Sequence, residues 1–408
     1  MLAQRPGQLM AWAVDAHAET EAALRGWARF DAQARPAASV GPLAGVPVGV
    51  KDVIDVAGMA TRAGSRSRDI SPPAERDAEV VARLRAQGAV ICGKTATTEF
   101  AYLDPSMATN PFNPAHTPGG SSSGSAAVVG AGVVPLALGT QTAGSVCRPA
   151  AWCGTYAFKP STGGTPGAGV EPFAPSFDTV GVFGLDLPQV TQAALAIIGE
   201  AGSVECSARM PSIAWLEDDY FTDVSPDCRA QLDRALALLR AAGSPVRAVR
   251  TGLDFEDLRN VHRSVMQFEA HAHHGGLLQT QGEGIGPHWR GALEAGARRD
   301  ARDAAAALEL LAQARARIEA AVGDADLVIG PPVRTVAPAG IGSTGDAGLI
   351  IPWTYAGTPM AVLPTGLSPA GMPLAVMLMG RRGRDRRAMA DALTVSAALR
   401  DGGMMIDA

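Results

Sequence analysis

Apolar and polar positions alternate with a helical period near the start of the chain. Residues from about 8 to 35 put alanine-rich apolar positions on one face and Asp, Glu and Arg on the other. This pattern predicts an amphipathic helix that ends before Pro36. Residues 41–58 hold short apolar runs broken by Gly and Pro, which predict two buried strands around a turn. A helix over 78–87 and a strand over 89–94 then give a βαβ-like rhythm, which is typical of α/β proteins.

The rest of the chain continues this alternation with longer helices. No internal repeat, low-complexity linker or clean domain boundary interrupts the pattern, so we expect one α/β unit. Its further helices are expected at residues 125–132, 227–242, 300–322 and about 386–399, and further strands at 133–140 and 325–332.

Composition narrows the classes of function. The 408 residues are 47% hydrophobic and 18% charged, which indicates a large core. The net charge is −5 and the basic run at 381–387 reads as a solvated turn before a helix, so no nucleic-acid partner is expected. No apolar stretch reaches the ~18–20 residues of a membrane span, and no secretory signal is evident. Five sparse cysteines without a CxxC pair indicate reduced thiols, hence a cytoplasmic protein.

A Gly/Ser tract carries the strongest chemical signal. It runs over residues 117–127 as TPGGSSSGSAA, and a second loop, TAGS, follows at 142–145. Small hydroxyl residues and permissive glycines at this density disfavour ordinary helix or strand and let backbone amides come close to a ligand. Because a helix is expected to start among the serines, its free amides and dipole would face the same place. The segment therefore predicts an oxyanion or anion site.

Lysine usage gives a second signal. Only three of the 35 basic residues are lysines, Lys51, Lys94 and Lys159, and all lie near glycine-rich segments in the first 160 residues. A desolvated lysine can lose its proton near neutral pH, whereas an arginine cannot. Any of the three could equally be an ordinary structural residue.

Three other readings of these patterns are weaker. Residues 120–124 also fit G-x-S-x-G with Ser122 at the centre, but no convincing His and acid partners accompany it. No lysine follows the glycines as a phosphate-binding loop requires. The histidine cluster His271, His273 and His274 lacks metal-ligand spacing, so we expect it on a helix surface or beside a pocket. No metal and no cofactor are expected.

The motifs together resemble the amidase signature family of serine hydrolases. The matching text is GVPVGVKD at 45–52, the tract at 117–127, LGTQTAGSVCRPA at 138–150 and CGTYAFKPS at 153–161, with softer similarity at 268–274, 358–366 and 374–381. The resemblance implies one large α/β domain over 1–408, with a central mixed twisted sheet covered by helices on both faces. It also implies a signature core at about 45–180 and a smaller C-terminal part at about 205–345.

The same resemblance implies a Ser-Ser-Lys triad. Ser145 would be the nucleophile and Lys51 the base, with Ser121 as a bridging serine on a cis peptide bond after Gly120. The amides of Thr142, Ala143, Gly144 and Ser145 would line the oxyanion hole. The chemistry fits these residue types, since a serine needs an adjacent base, a lysine becomes one when buried, and a hydroxyl can both donate and accept.

The chain departs from the commonest family text at a few positions. Gln141 stands where Asp is usual, Ala143 where Gly is usual, and SVCR replaces SIR. The similarity of the 141–150 segment to the malonamidase branch raises the hypothesis of an acid-bearing amide whose carboxylate is clamped by Arg148. Arg148 could instead brace the loop through internal hydrogen bonds. Gly120 and Gln141 are further candidate substrate contacts, and pocket residues are expected at 102–110, 163–175 and 352–358.

The expected function is hydrolysis of a small-molecule amide through a seryl acyl-enzyme, which releases an acid and ammonia or an amine. Two alternatives stay open: a subunit of a tRNA-dependent amidotransferase and a non-catalytic relative. A homodimer is one expectation for the assembly.

Overall fold

An eleven-stranded sheet forms the centre of the protein. The computed structural model describes residues 6–38, 40–281 and 283–404. The strands, in chain order, are β1 (Trp27–Phe30), β2 (Pro47–Lys51), β3 (Val90–Thr95), β4 (Leu136–Gln141), β5 (Tyr156–Lys159), β6 (Thr179–Gly184), β7 (Ile213–Leu216), β8 (Val246–Val249), β9 (Leu327–Gly330), β10 (Met360–Leu367) and β11 (Pro373–Met379). The helices are α1 (Pro6–Leu24), α2 (Glu79–Ala86), α3 (Ser123–Gly130), α4 (Cys147–Trp152), α5 (Leu187–Ile198), α6 (Asp219–Thr222), α7 (Pro226–Ala241), α8 (Phe255–His274), α9 (Leu277–Thr280), α10 (Pro287–Ala297), α11 (Ala301–Val322), α12 (Ile351–Tyr355) and α13 (Asp385–Asp401).

The sheet is mixed, with the strand order β1-β3-β2-β4-β6-β5-β10-β11-β9-β7-β8. β2 runs parallel to both of its neighbours, β3 and β4, whereas β4 pairs with β6 in the antiparallel direction. Parallel neighbours align the carboxyl ends of β2 and β4 at one edge. The chain therefore brings the last residues of these two strands, Lys51 and Gln141, to the same side of the sheet.

Most strands are buried on both faces. Every residue of β2, β3, β4, β5, β6, β7 and β11 is buried, which is the pattern of a sheet covered by helices on both sides. The expected α/β single domain with a mixed sheet is thus confirmed. No helix in the described part of the chain is long and apolar enough to cross a membrane.

The predicted N-terminal helix over about 8–35 is wrong in its second half. α1 ends at Leu24, where the Glu21 carboxylate accepts hydrogen bonds from the amides of Gly26 and Trp27 at 3.0 and 3.1 Å. A Cβ on Gly26 would lie 2.5 Å from Val128, so the chain turns there against α3. The residues that follow form β1, which pairs antiparallel with β3. Tertiary pairing here overrides the local helical pattern.

Only one of the two strands expected within residues 41–58 forms, as β2. Residues 52–58 form turns and isolated bridges, because the amides of Val53 and Ile54 both donate to the Lys51 carbonyl at 2.8 and 2.9 Å. Their side chains are nevertheless buried, which explains the apolar run. The other expected helices and strands coincide with α2, α3, α7, α11, α13, β3, β4 and β9, with shifts of a few residues at their ends.

Candidate active site

Lys51 is the last residue of β2 and is completely buried. Its Nζ lies 2.7 Å from Ser121 Oγ, 2.7 Å from Thr140 Oγ1 and 3.5 Å from the Thr140 carbonyl oxygen. Burial lowers the pKa of Lys51 well below its usual value, and the negative charge of Asp178 opposes this shift only in part. The Lys51 amine thus lies within hydrogen-bond distance of two hydroxyls, and its burial favours the neutral form.

Ser121 is held by its backbone at the start of the Gly/Ser tract. The peptide bond between Gly120 and Ser121 is cis. The Ser121 carbonyl accepts hydrogen bonds from Thr97 Oγ1 at 3.1 Å and from the Thr98 amide at 3.2 Å. A Cβ on Gly120 would lie 2.5 Å from Thr344, so only glycine fits at that position without displacing its neighbour. This arrangement leaves the Ser121 hydroxyl facing the Lys51 amine.

The other serines of the tract bind the scaffold. Ser122 Oγ donates to the Thr140 carbonyl at 3.2 Å and accepts from the Thr140 amide at 3.3 Å. Ser125 Oγ donates to the Leu138 carbonyl at 2.8 Å. These bonds tie the tract and α3 to β4. Ser122 is the central residue of the G-x-S-x-G pattern, and its hydroxyl is thus hydrogen-bonded to the backbone of β4.

Ser145 lies in the loop of residues 142–145, between β4 and α4, and is 8% exposed. Among the residues that the structure describes, no acceptor binds the amides of residues 143–145, and no hydrogen bond joins Ser145 Oγ to Ser121. The next amides along the chain, Val146 and Cys147, donate to Gln141 Oε1 at 2.9 and 3.0 Å. The loop therefore offers a run of unpaired N–H groups beside Ser145, as an oxyanion hole requires.

The half-buried carboxylate of Asp178 supports the first residue of this loop. Thr142 Oγ1 donates to Asp178 Oδ1 at 2.5 Å. Asp178 Oδ2 accepts from the amides of Phe173 and Ala174 at 2.8 and 2.9 Å. Burial raises the pKa of Asp178, and these hydrogen bonds counter that rise. Asp178 thus connects the 142–145 loop to the Gly/Pro-rich segment at residues 163–175.

A cavity of about 280 Å³ opens beside these residues. Thr140, Thr142 and Asp178 line its inner end, and much of the expected pocket segment at 163–175 forms its walls. Its remaining lining is mainly apolar and includes Val170 and Phe173. Of the other two expected pocket segments, neither 102–110 nor 352–358 lines this cavity where the structure describes it. The cavity has about the size of a small-substrate pocket, and it reaches Thr142 of the loop but is not lined by Ser121 or Ser145.

Arg148, on α4, is buried and bound to backbone. Its Nη2 donates to the Gly120 carbonyl at 2.6 Å and its Nη1 to the Gly345 carbonyl at 2.8 Å. Burial lowers the pKa of Arg148 to about 10, which keeps it charged at neutral pH. The guanidinium therefore links the Gly/Ser tract to the segment after Ser343, in the bracing arrangement that was the alternative to a carboxylate clamp.

Three residues at the site were not among the candidate site residues. Thr140 Oγ1 binds Lys51, His262 Nε2 lies 3.0 Å from the Thr142 carbonyl, and Thr354 Oγ1 donates to the Ala143 carbonyl at 2.5 Å. Thr140 lies within the motif at 138–150 and Thr354 within the expected pocket segment at 352–358, whereas His262, in α8, lies outside every motif. Asp178 does have a faint signal, as an isolated acidic residue directly before an apolar strand.

The histidine cluster lies on α8 as expected. His271 and His273 are partly or fully exposed, whereas His274 is buried and binds the Pro172 carbonyl at 2.6 Å through Nε2. No group of three or more His, Cys, Asp or Glu side chains in the described part of the chain is arranged to hold a metal ion. The residues at the site supply hydroxyls, the buried amine of Lys51 and backbone N–H groups.

Comparison with known proteins identifies the family. A family model described as Amidase matches residues 13–389. A glutamyl-tRNA(Gln) amidotransferase subunit of Symbiobacterium thermophilum is 39% identical over 230 residues, which cover 51% of this chain and 46% of that protein. A putative amidase, AmiA2, of Mycobacterium bovis is 39% identical over 213 residues, which cover 51% of this chain and 42% of that protein. In these alignments the chain spans about half the length of the curated relatives that it matches.

Longer matches cover nearly the whole chain. The glutamyl-tRNA(Gln) amidotransferase subunit of the same type from Chloroflexus aggregans is 30% identical over 420 residues, which cover 90% of this chain and 85% of that protein. A crystal structure of an amidase superposes with a TM-score of 0.86 at 27% identity, and covers 98% of this chain and 96% of the other. A structure of a vestigial complex related to an s-triazine catabolic enzyme gives a TM-score of 0.87 at 25% identity, with the same shares covered. The chain belongs to the amidase family.

Proposed function

We propose that the protein hydrolyses carbon–nitrogen bonds of small amides through Lys51, Ser121 and Ser145. One observation carries this proposal: a fully buried lysine with a lowered pKa lies 2.7 Å from a serine hydroxyl, beside a loop of unpaired amides. Buried amines become neutral and can serve as general bases, while a serine hydroxyl is a weak nucleophile unless a base takes its proton.

The proposed reaction starts with proton transfer to neutral Lys51. Ser121 passes its hydroxyl proton to Lys51 Nζ and takes the proton of Ser145 Oγ, which attacks the carbonyl carbon of the amide. The developing oxyanion is stabilised by the amides of Thr142, Ala143, Gly144 and Ser145. The proton then returns through Ser121 to the leaving nitrogen, the C–N bond breaks, and water hydrolyses the acyl-enzyme by the same relay.

The residues that line the cavity favour a substrate whose acyl group is uncharged. Its lining is mainly apolar, carries the acidic residues Asp178 and Glu171, and contains no Lys or Arg among the residues that the structure describes. A substrate carboxylate would lie beside these two acidic side chains, of which Glu171 is paired with Arg68 at 2.6 Å. The malonamidase-like alternative, in which Arg148 clamps an acid, would need the guanidinium to leave the carbonyls of Gly120 and Gly345. We therefore favour neutral amides over dicarboxylate monoamides.

Covalent labelling and turnover test the proposal together. The purified chain is incubated with a fluorophosphonate and mapped by peptide mass spectrometry, and a panel of neutral and carboxylate-bearing amides is assayed for ammonia or amine release. We expect one adduct on Ser145 and turnover of neutral amides, both absent in Ser145→Ala. An adduct on Ser122 or Ser123 instead, or wild-type turnover in Ser145→Ala, would overturn the assignment of the nucleophile. No adduct together with no turnover would favour a non-catalytic relative.

A second candidate is a subunit of a tRNA-dependent amidotransferase. The observation in its favour is the 30% identity to such a protein over 90% of this chain. The two functions differ in their need for partners, because an amidotransferase subunit works with further chains and a tRNA. Ammonia release from simple amides by the isolated chain supports the amidase. Activity that depends on added amidotransferase partner subunits and aminoacyl-tRNA would support the second candidate.

A further inference from the structure

A buried histidine contacts the loop of residues 142–145 from the side of α8. The His262 side chain is 0% exposed and packs against Phe177, with the ring centroids 4.4 Å apart. Its Nε2 lies 3.0 Å from the Thr142 carbonyl oxygen, whereas its Nδ1 has no partner among the described residues. A carbonyl can only accept, so Nε2 carries the proton. Burial lowers the pKa of His262 to about 4, so the ring is a neutral donor at neutral pH.

The acceptor of this bond belongs to a peptide unit with a second role. The Thr142 carbonyl and the Ala143 N–H are the two ends of one planar peptide group. The next peptide group is held in the same way, because Thr354 Oγ1 donates to the Ala143 carbonyl at 2.5 Å and that group ends in the Gly144 N–H. Gln141 Nε2 donates to Thr354 Oγ1 at 3.0 Å and so orients this hydroxyl.

We propose that His262 and Thr354 are positioning residues that orient and polarise two successive peptide groups, so that the amides of Ala143 and Gly144 point at the developing oxyanion. This inference rests on the proposed function for its catalytic consequence. A hydrogen bond on a carbonyl fixes the plane of the peptide and strengthens the donor at its other end by roughly 10–30%. Both residues act through the backbone, from α8 and α12.

The loop needs these two hydrogen bonds because its own amides are not bonded to acceptors. The amides of residues 143–145 have no acceptor among the described residues, so nothing on that side fixes the peptide planes. Holding the carbonyl side instead leaves the N–H groups free for a substrate. A misplacement of about 1 Å at a reacting group can cost about 10²-fold in rate, so we expect His262 and Thr354 to affect kcat more than KM.

An NMR experiment tests the contact without reference to activity. The sequence contains two Thr–Ala pairs, Thr95–Ala96 and Thr142–Ala143, so labelling with ¹³C-carbonyl Thr and ¹⁵N-Ala gives two peaks in a carbonyl-to-amide correlation. In His262→Leu we expect the Thr142–Ala143 peak to shift upfield in carbon, because the carbonyl loses its donor. The Thr95–Ala96 peak serves as the internal control. His262→Gln, whose amide nitrogen takes the place of Nε2, should restore the wild-type shift. An unmoved Thr142–Ala143 peak in His262→Leu would overturn the proposal.

Kinetics test the consequence for the reaction. We expect His262→Leu to lower kcat by about 10- to 100-fold with KM within about threefold of wild type, and His262→Gln to recover most of the loss. His262→Asn is the matched control, since its amide mimics Nδ1 and cannot reach the Thr142 carbonyl. Equal losses of kcat in the Gln and Asn variants would mean that His262 only fills space, and would contradict its positioning role. Failure of the proposed function is recognised separately, by wild-type protein that shows neither turnover nor an adduct on Ser145.

Discussion

Two Gly/Ser-rich segments of this protein, the tract at 117–127 and the loop at 142–145, have similar composition but differ in the bonding of their serine hydroxyls. In the tract, the hydroxyls of Ser121, Ser122, Ser123 and Ser125 all have partners within the protein. In the loop, neither the Ser145 hydroxyl nor the amides of residues 143–145 have a partner among the described residues. Composition alone therefore does not identify the reactive segment. The serine hydroxyls of the tract are satisfied within the protein, whereas the loop keeps unpaired groups that a ligand could meet.

The two segments also differ in what holds them. The tract is tied to the backbone of β4 by its own serine side chains, and Arg148 and Thr97 bind two of its carbonyls. The loop is fixed by side chains from elsewhere: Asp178 binds the Thr142 hydroxyl, and His262 and Thr354 bind the carbonyls of Thr142 and Ala143. A buried polar group left unpaired costs about 1–3 kcal/mol, so the loop needs external support to keep its amides free. Because side chains outside the loop hold its carbonyls, the loop can keep N–H groups unpaired.

Among the substitutions considered, replacing Lys51 with methionine should give the largest loss of kcat/KM. Lys51→Met keeps the buried volume but removes the proton acceptor of Ser121, so we expect kcat/KM on a neutral amide to fall by at least about 10³-fold. Lys159→Met is the matched control, because Lys159 is also fully buried but donates to the Pro160 carbonyl, directly after β5. Steady-state assays of both variants measure the difference. Comparable losses in the two variants would show that any buried lysine is needed for folding, and would remove the case for Lys51 as base.

The pH dependence of kcat/KM should show whether the titration of Lys51 or that of Asp178 causes the loss of activity at acidic pH. Burial lowers the pKa of Lys51, and the active form is the neutral amine. Activity should therefore be lost as the pH falls through that pKa, by about tenfold per unit, and reach a plateau above it. Asp178 raises the pKa of Lys51 through its charge, so Asp178→Asn should move the acidic limb to lower pH. Disappearance of the limb in Asp178→Asn would assign it to the carboxylate instead. Circular dichroism over the same pH range excludes unfolding as its cause.

Sequence patterns predicted the local pieces of this site better than its assembly. The α/β class, the tract, the loop and the buried lysine at a strand end follow from apolar runs and glycine-rich text, which act over a few residues. The hydrogen bonds of Thr140, His262 and Thr354 could not be predicted, although Thr354 lies in an expected pocket segment, because only the tertiary fold brings their partners near. β1 was missed for the same reason, since pairing with β3 overrides its helical pattern.

Arg148→Met should give a smaller loss, by about 10- to 100-fold in kcat, because it frees the Gly120 carbonyl of the tract and the Gly345 carbonyl of the segment after Ser343. If the guanidinium is a brace, the loss is the same for a neutral amide and for its analogue with a terminal carboxylate. Parallel assays on that substrate pair measure it. A loss confined to the acidic analogue would restore the carboxylate clamp and the malonamidase-like reading.

The smallest effect on turnover is expected from Ser125→Ala, which tests whether the tract is scaffold. Ser125 Oγ donates to the Leu138 carbonyl at 2.8 Å and shares a 2.7 Å hydrogen bond with Thr95 Oγ1, and both partners are buried. Removing it leaves these groups unpaired at a cost of about 1–3 kcal/mol, which the better helix propensity of alanine in α3 offsets by a few tenths of a kcal/mol. Urea denaturation should show this loss of unfolding free energy, while kcat stays within about threefold of wild type. A large fall in kcat with unchanged stability would place Ser125 in the reaction, and the division between a satisfied scaffold and an unsatisfied reactive loop would no longer hold.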